Sequence, residues 1–243
     1  MSELPDYLAE AWGVRDRAGR GPKPALSLER IVTAAIAVAD AEGIGAVSMS
    51  RVAKELNTGA MSLYRYVTAK SELLELMVDQ AVGPPPPAGP GETWRDGISR
   101  WAWGLLTALR ARPWVLHIPI TGPPATPNQL TWLENGLRAL DDTGLPPAQR
   151  LSVMLWVSGF VWNNALLNLN ISEHKADNAI MPVYARVLTT LITPDRFPAL
   201  TAVLTSGTLN VDDHPDHEFT FGLARTLDGI EALIRAPGGR PTG

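Results

Sequence analysis

Between Ala60 and Lys70 the chain places the hydroxyls of Ser62, Tyr64 and Tyr66, the guanidinium of Arg65 and the ammonium of Lys70. Groups of this kind break no bonds by themselves. Set along one short helix, they are the donors and acceptors that meet base edges and phosphates in a DNA groove. Ala60 and Met61 open the same stretch, where small or apolar side chains can lie against thymine methyls. Leu63 and Val67 fall on the opposite side and point back into whatever supports the stretch. Lys70, at the start of the following helix, is placed to meet a phosphate.

Catalytic chemistry is scarce. The chain has no cysteine, which excludes disulfides, thiolate zinc sites and cysteine nucleophiles. Four histidines leave few nucleophile and base pairs. There is no GxSxG, HExxH, phosphate-loop or dinucleotide fingerprint. The expectation is a protein that is not an enzyme and needs no cofactor. Asp212-Asp213-His214-Pro215-Asp216-His217 collects metal-ligating types. They crowd a proline-containing loop, and the reading preferred is a polar cap before the last helix, without metal.

The elements that must position these residues are helices. Leu28, Ile31, Val32, Ala35, Ile36 and Ala39 follow the spacing of one helical face, with Ser27 at the N-cap and Gly43 as the stop. A short helix after Ser48 turns Val52, Ala53 and Leu56 inward. Asn57-Thr58-Gly59 makes a turn, Ala60 to Tyr66 a third short segment, and a fourth helix from near Thr68 carries Leu73, Leu74, Met77 and Ala81. A supporting helix followed by two short ones across a three-residue turn is a helix-turn-helix, whose second short helix enters the major groove. The proline run at 83–91 cannot be helical and reads as a short, stiff connector. Beyond it, 94–111, 129–142, 147–171, 179–192 and 218–234 have helical length and apolar content. No alternating strand pattern appears, and the expected architecture is all-α. Segment 151–171 is apolar enough for a membrane span, but Asn163, Asn164, Asn168 and Asn170 are costly in lipid and a buried bundle helix is preferred.

Charge follows the same division. The net charge is −4, yet residues 14–70 hold nine Lys or Arg against five Asp or Glu, a basic block on an acidic body. Arg15, Arg17, Arg20 and Lys23 flank Gly-Pro-Lys-Pro; this stretch is either an arm along a minor groove or a solvated tail. Tyr7, Leu8, Ala11 and Trp12 before it form an apolar patch that could dock on the body. The first residues lack a signal-peptide pattern, so a cytoplasmic protein is expected.

Seven of the eight tryptophans lie past the proline run. Trp103, Trp114, Met154, Trp156, Phe160 and Trp162, with His117, Asn163 and Asn164 as polar groups, have the composition of a small-ligand pocket, though each residue taken singly suits core packing too. The last helix sets Phe219, Leu223, Leu227, Ile230 and Ile234 along one face, with Gly222 and Gly229 permitting close approach.

Residues 25–81 resemble the DNA-binding domain of the tetracycline-repressor (TetR) family. The resemblance rests above all on Leu63-Tyr64-Arg65-Tyr66-Val67, followed by Lys70 and Leu73-Leu74. RGPKPALS before it, and PPAQRLSVMLWVSGFVWNNALL and FGLARTLDGIEALI after it, resemble the actinobacterial branch with a tetracycline-repressor-like C-terminal domain. The resemblance implies homodimers on a pseudo-palindromic operator, usually repressing, with a small inducer in the second domain. It places Ser50, Ala60, Met61, Ser62, Arg65 and Tyr66 at base-facing positions, and Ser48, Tyr64 and Lys70 at phosphate positions. Asn57 stands where the family often has glycine; Asn tolerates the left-handed conformation, so the turn survives. Ser50 stands where arginine is frequent. It further implies that the last helix and the one at 147–171 pair with their copies in a four-helix dimer interface.

The domains expected are a flexible basic extension (1–24), the helix-turn-helix module (25–82), the linker (83–91), a helical regulatory and dimerisation body (92–236) and a disordered tail (237–243). The function expected is a repressor released by a mostly apolar small molecule. A constitutive DNA-binding dimer and an enzyme using the aromatic cavity are the alternatives.

Overall fold

The computed structural model describes residues 4–14, 26–173, 180–208 and 216–236. Expectations that rest on Arg15, Arg17, Arg20, Lys23, Asp212, Asp213, His214 and residues 237–243 lie outside them. Among the described residues there are eleven α-helices and no strand.

The first unit is built on α2 (Leu28–Glu42), α3 (Met49–Glu55), α4 (Ala60–Leu63) and α5 (Lys70–Val82). Each start has a chemical cause. The hydroxyls of Ser27 and Ser48 accept from the N–H of Arg30 and Arg51, at 3.3 and 3.1 Å, and so open α2 and α3. Asn57 holds φ +50°, the left-handed position that ends α3. α4 is a single turn, shorter than the expected 60–66, because the N–H groups of Tyr66 and Val67 both return to Leu63 O, at 2.9 and 3.1 Å. α5 begins later than Thr68: the Glu72 carboxylate folds back to accept from Thr68 N and Thr68 Oγ1, at 2.5 and 2.8 Å, and holds those groups outside the helix. Ile31, Val47, Val52, Leu63, Val67, Leu73 and Met77 meet in a sealed core.

The body comprises α6 (Trp94–Ala111), α7 (Pro127–Ala139), α8 (Pro147–Glu173), α9 (Ile180–Leu191), α10 (Pro198–Thr205) and α11 (His217–Arg235). α6 lies centrally and packs on α5, α7, α8 and α11. The absence of a side chain at Gly136 lets Met154 of α8 approach α7, since a Cβ there would lie 2.2 Å from Met154 Cε. Trp101 donates to Trp132 O at 2.8 Å, the two rings meeting edge to face at 5.4 Å. The proline run is held against this core. Arg100 donates to Pro86 O at 2.6 Å, and Trp132 Nε1 donates to Gly83 O at 2.8 Å.

Two helices were not expected. α10 follows Phe197-Pro198 and packs on α9. α1 (Asp6–Ala11) lies in the stretch expected to be flexible. It is docked: Leu8 is buried, Tyr7 Oη donates to Glu75 Oε2 at 2.8 Å, and Trp12 Nε1 donates to Ala125 O at 2.9 Å.

The two units are tied by polar contacts, one set buried and one nearer the surface. Asp79 on α5 accepts from Thr126 Oγ1 at 2.6 Å, Gln129 N at 3.0 Å and Asn128 Nδ2 at 3.1 Å, all at the N-terminus of α7. Asp40 on α2 accepts from Trp114 Nε1 at 2.7 Å and Arg112 Nε at 3.2 Å. Asp79→Ala leaves the Thr126 hydroxyl and the α7 N-terminus unpaired, at about 1–3 kcal/mol for each buried group orphaned. Thermal and urea denaturation should show a loss of that order, with Asp79→Asn, which keeps one acceptor oxygen, losing less. Equal stability of all three proteins would show that the contact carries no weight.

Candidate nucleic-acid interface and ligand cavity

α4 is anchored by what it buries and offers what it leaves out. Leu63 and Val67 are fully enclosed by α2, α3 and α5. On the outer side Met61 is 77% exposed, a large apolar side chain left in water, and Tyr64 and Arg65 stand beside it. Ala60 and Ser62 are half-buried at the margin, and Ser50 and Lys70 are exposed. Arg65 and Lys70 have no ion pair among the described residues, so both cations are available to an anionic partner. A helix presenting a thioether, a phenol and a guanidinium on one side fits a groove about 12 Å wide.

Two expected contacts have roles within the fold. Tyr66 turns back: its hydroxyl donates to Leu26 O at 2.8 Å and ties the segment after α4 to the approach of α2. Ser48 uses its hydroxyl as the cap of α3. Arg51 is spent within the module, bonded to Glu42 at 2.6 Å and Glu55 at 2.8 Å, and the same hydrogen bond holds the Glu42 carboxyl below its usual range. Lys54, by contrast, is exposed beside Ser50 and Asn57 on the notch between α3 and α4. It was not among the expected contacts, although its outward place on α3 was readable from the helical period.

The expected pocket residues are divided between core contacts and the surface. Phe219 of α11 meets Trp103 edge to face at 4.6 Å and stacks on Phe160 at 5.3 Å. Phe160 also presses on Gly222, where a Cβ would lie 2.6 Å from its ring. Trp114 is buried against Asp40, and Met154 is buried against α7. His117 is exposed. Trp156, 68% exposed, and Asn163 lie on the outer face of α8, while Asn164 accepts from the amide of Asn168 at 2.9 Å. Of the nine residues, Trp162 lines a cavity at the junction of the two units. That cavity, about 330 Å³, lies between α5 and the body. Lys70, Ser71, Leu74, Glu75 and Val78 form one wall; Ile118 to Pro123, Gln129 and Trp162 form the other.

The expected dimer stripe faces inward for most of its length: Phe219, Leu223, Leu227 and Ile230 are buried in their own protomer, and Ile234 is half-buried against its core. The outer faces of the same two helices carry the exposed apolar groups: Leu151, Leu155, Trp156 and Leu167 on α8, Phe221 and Leu233 on α11. α8 is apolar on both sides, and only one of them is buried in the protomer. No helix among the described residues is long and apolar enough to cross a membrane. Asp216 accepts from Arg110 at 2.6 Å, and no group of three metal-ligating side chains is found among the described residues.

Comparison with known proteins gives a consistent picture. Residues 31–77 match the family described as bacterial regulatory proteins, tetR family. Residues 86–234 match the tetracyclin repressor-like C-terminal domain. The chain is 37% identical over 232 residues to the HTH-type transcriptional repressor DrrR1 of Streptomyces coeruleorubidus, covering 92% of this chain and 84% of that one. It is 34% identical over 140 residues to an HTH-type transcriptional regulator of Saccharopolyspora erythraea, covering 57% and 59% of the two chains. Among solved structures, the TetR family protein ActR of Streptomyces coelicolor in complex with actinorhodin is similar, with TM-score 0.76 and 28% identity, covering 88% of this chain and all of that one. ActR in complex with (S)-DNPA has TM-score 0.73 at 28% identity, covering 87% of this chain and all of ActR.

If α4 reads the groove, the roles separate by substitution. Lys70→Ala should weaken binding to every duplex and lower the salt slope by about one counterion. Arg65→Ala should chiefly narrow the gap between cognate and scrambled sites, by about 1–3 kcal/mol. Tyr66→Phe should cost about 1 kcal/mol of fold stability and leave base preference as it was. Fluorescence-anisotropy titrations over a salt series distinguish the three. Loss of sequence preference in Tyr66→Phe with an unchanged melting temperature would keep that residue in the base-facing set.

Proposed function

The chain belongs to the TetR family of bacterial DNA-binding transcriptional regulators, and on that premise we propose that it is a repressor released from its operator by a small, largely apolar molecule. The observation that carries this reading is the composition of the junction cavity, whose walls come from both units. A ligand there touches α5, and α5 begins at Lys70, directly after the recognition segment. The volume lies at the lower end of small-molecule sites, and Leu74, Val78, Ile118 and Trp162 supply apolar contact while Ser71, Thr121 and Gln129 orient a polar group. The larger groove of about 730 Å³ beside the proline run is lined by body and connector residues alone, so an occupant there would have no direct purchase on the DNA-binding unit.

The mechanical argument follows from α5. As a continuous 13-residue helix it transmits displacement without bending, over about 20 Å. Its C-terminal half is pinned to α7 by Asp79, and its N-terminal half borders the cavity. A molecule that fits best when the walls stand further apart favours a form in which α4 is displaced. Such a molecule must bind the two forms unequally, since equal binding shifts nothing. Coupling of about 1–3 kcal/mol corresponds to a 5- to 150-fold loss of operator affinity. That ActR has been seen with actinorhodin and with (S)-DNPA supports ligand response in this fold.

The operator is bound by a homodimer on this reading, because two recognition helices must be spaced by about one DNA turn, roughly 34 Å. The exposed apolar faces of α8 and α11 are the surfaces for the second copy, and the protein acts in the cytoplasm, where the DNA is. Trp156→Asp places a charge at the centre of that face and should yield monomers in sedimentation at concentrations where the parent is dimeric. An unchanged dimer would move the interface elsewhere.

The functional test begins with protection of DNA upstream of the protein's own gene, followed by ligand screening through tryptophan emission. Val78→Phe, which fills the cavity, should weaken a true inducer at least 5-fold while operator affinity without ligand is kept. Operator binding that no ligand alters would favour the constitutive reading.

A further inference from the structure

The family matches cover residues 31–77 and 86–234, and α1 lies outside both. It packs on α2, and its two side-chain hydrogen bonds reach two further elements. Tyr7 donates to Glu75, on the α5 wall of the junction cavity. Trp12 donates through its indole N–H to Ala125 O, in the turn before α7. The N–H of Ala125 in turn donates to Gln129 Oε1 at 3.2 Å, and Gln129 belongs to the opposite wall. Between the two anchors, Leu8 is buried.

A six-residue helix does not persist in water on its own. α1 therefore exists because these anchors hold it, and it holds them in return. Trp12 is 43% exposed, and its indole N–H is the donor that joins α1 to the body. The Tyr7 hydroxyl is pushed up to about 12 by burial and by the Glu75 carboxylate, so it remains a donor throughout the physiological range.

Resting on the reading that this cavity takes the ligand, we propose that α1 is part of the ligand site: a clasp from Glu75 on α5 to Ala125, just before α7, that adds to the Asp79 tie in setting how far the two cavity walls can part. Tyr7 and Trp12 are positioning residues, acting through Glu75 and Gln129. Intact, the clasp holds the narrow, ligand-free arrangement. Opened, it lets α5 move and the cavity widen.

The test uses the full chain and the Tyr7→Phe/Trp12→Phe double variant, which removes both donors and keeps both rings. Amide exchange in 70–78 and 121–129 should quicken about tenfold, while α6 and α8 exchange as before. The probe is 1-anilinonaphthalene-8-sulfonate, an apolar aromatic anion whose emission is read by energy transfer from tryptophan. Its affinity should change at least 5-fold in the double variant, and deletion of residues 1–13 should reproduce the effect. Unchanged exchange in both variants overturns the clasp. Faster exchange with unchanged probe affinity makes α1 a strut and overturns its part in the ligand site. Probe binding to the parent that Val78→Phe does not weaken overturns the cavity reading itself, and the proposal with it, whatever exchange shows.

Discussion

The carboxylate of Asp79 leaves water to meet the first turn of α7, and the relation between the two units depends on that meeting. An isolated buried carboxylate costs several kcal/mol. Here three donors and the positive end of a helix offset the cost. Separating the units would strand the charge and the helix terminus together, so they behave as one body at this point. Asp40, with Trp114 and Arg112, makes a second tie on the other side of the module. The freedom that remains lies at the N-terminal half of α5, which is where the cavity sits.

This arrangement explains why the proline run matters less as a hinge than its composition suggests. Prolines stiffen a chain, but Pro86 and Gly83 are also bonded to Arg100 and Trp132. Arg100 is itself held by Glu92, whose carboxyl it keeps below its usual range. The connector is thereby part of the body surface. The contacts between the units run through side chains across the junction, from the segment after α6 to α2 and from α7 to α5.

Much of the DNA-binding unit was legible in the sequence, because its elements are short, amphipathic and capped by residues with one evident use. Ser27 and Asn57 each do in the structure what their chemistry suggested. The body was legible as helices but not as faces. α8 and α11 carry apolar groups on two sides, and periodicity cannot say which side meets the protomer's own core. Phe219 therefore read as surface and Trp156 as pocket, when the reverse holds. The aromatic cluster misled for a related reason: Trp103 and Phe160 line a space in composition, and only three dimensions show both packed on Phe219. The patch of Tyr7, Leu8, Ala11 and Trp12 was legible as a docking surface but its helix was not, because six residues have no helical stability of their own. The turn of Tyr66 was not legible because its partner is a backbone carbonyl forty residues away.

The division of labour on α4 has a consequence for how such a protein can change. Leu63 and Val67 carry the packing, while Met61 and Arg65 project outward and support nothing beneath them. Substitutions at the projecting positions leave the core untouched and alter only what is read. The outward face can therefore drift, or be rewritten, without a stability penalty to be repaired elsewhere, and the junction between the units stays as it is. Surface chemistry and support are separable traits at this place in the chain, and the boundary between them runs along one turn of helix.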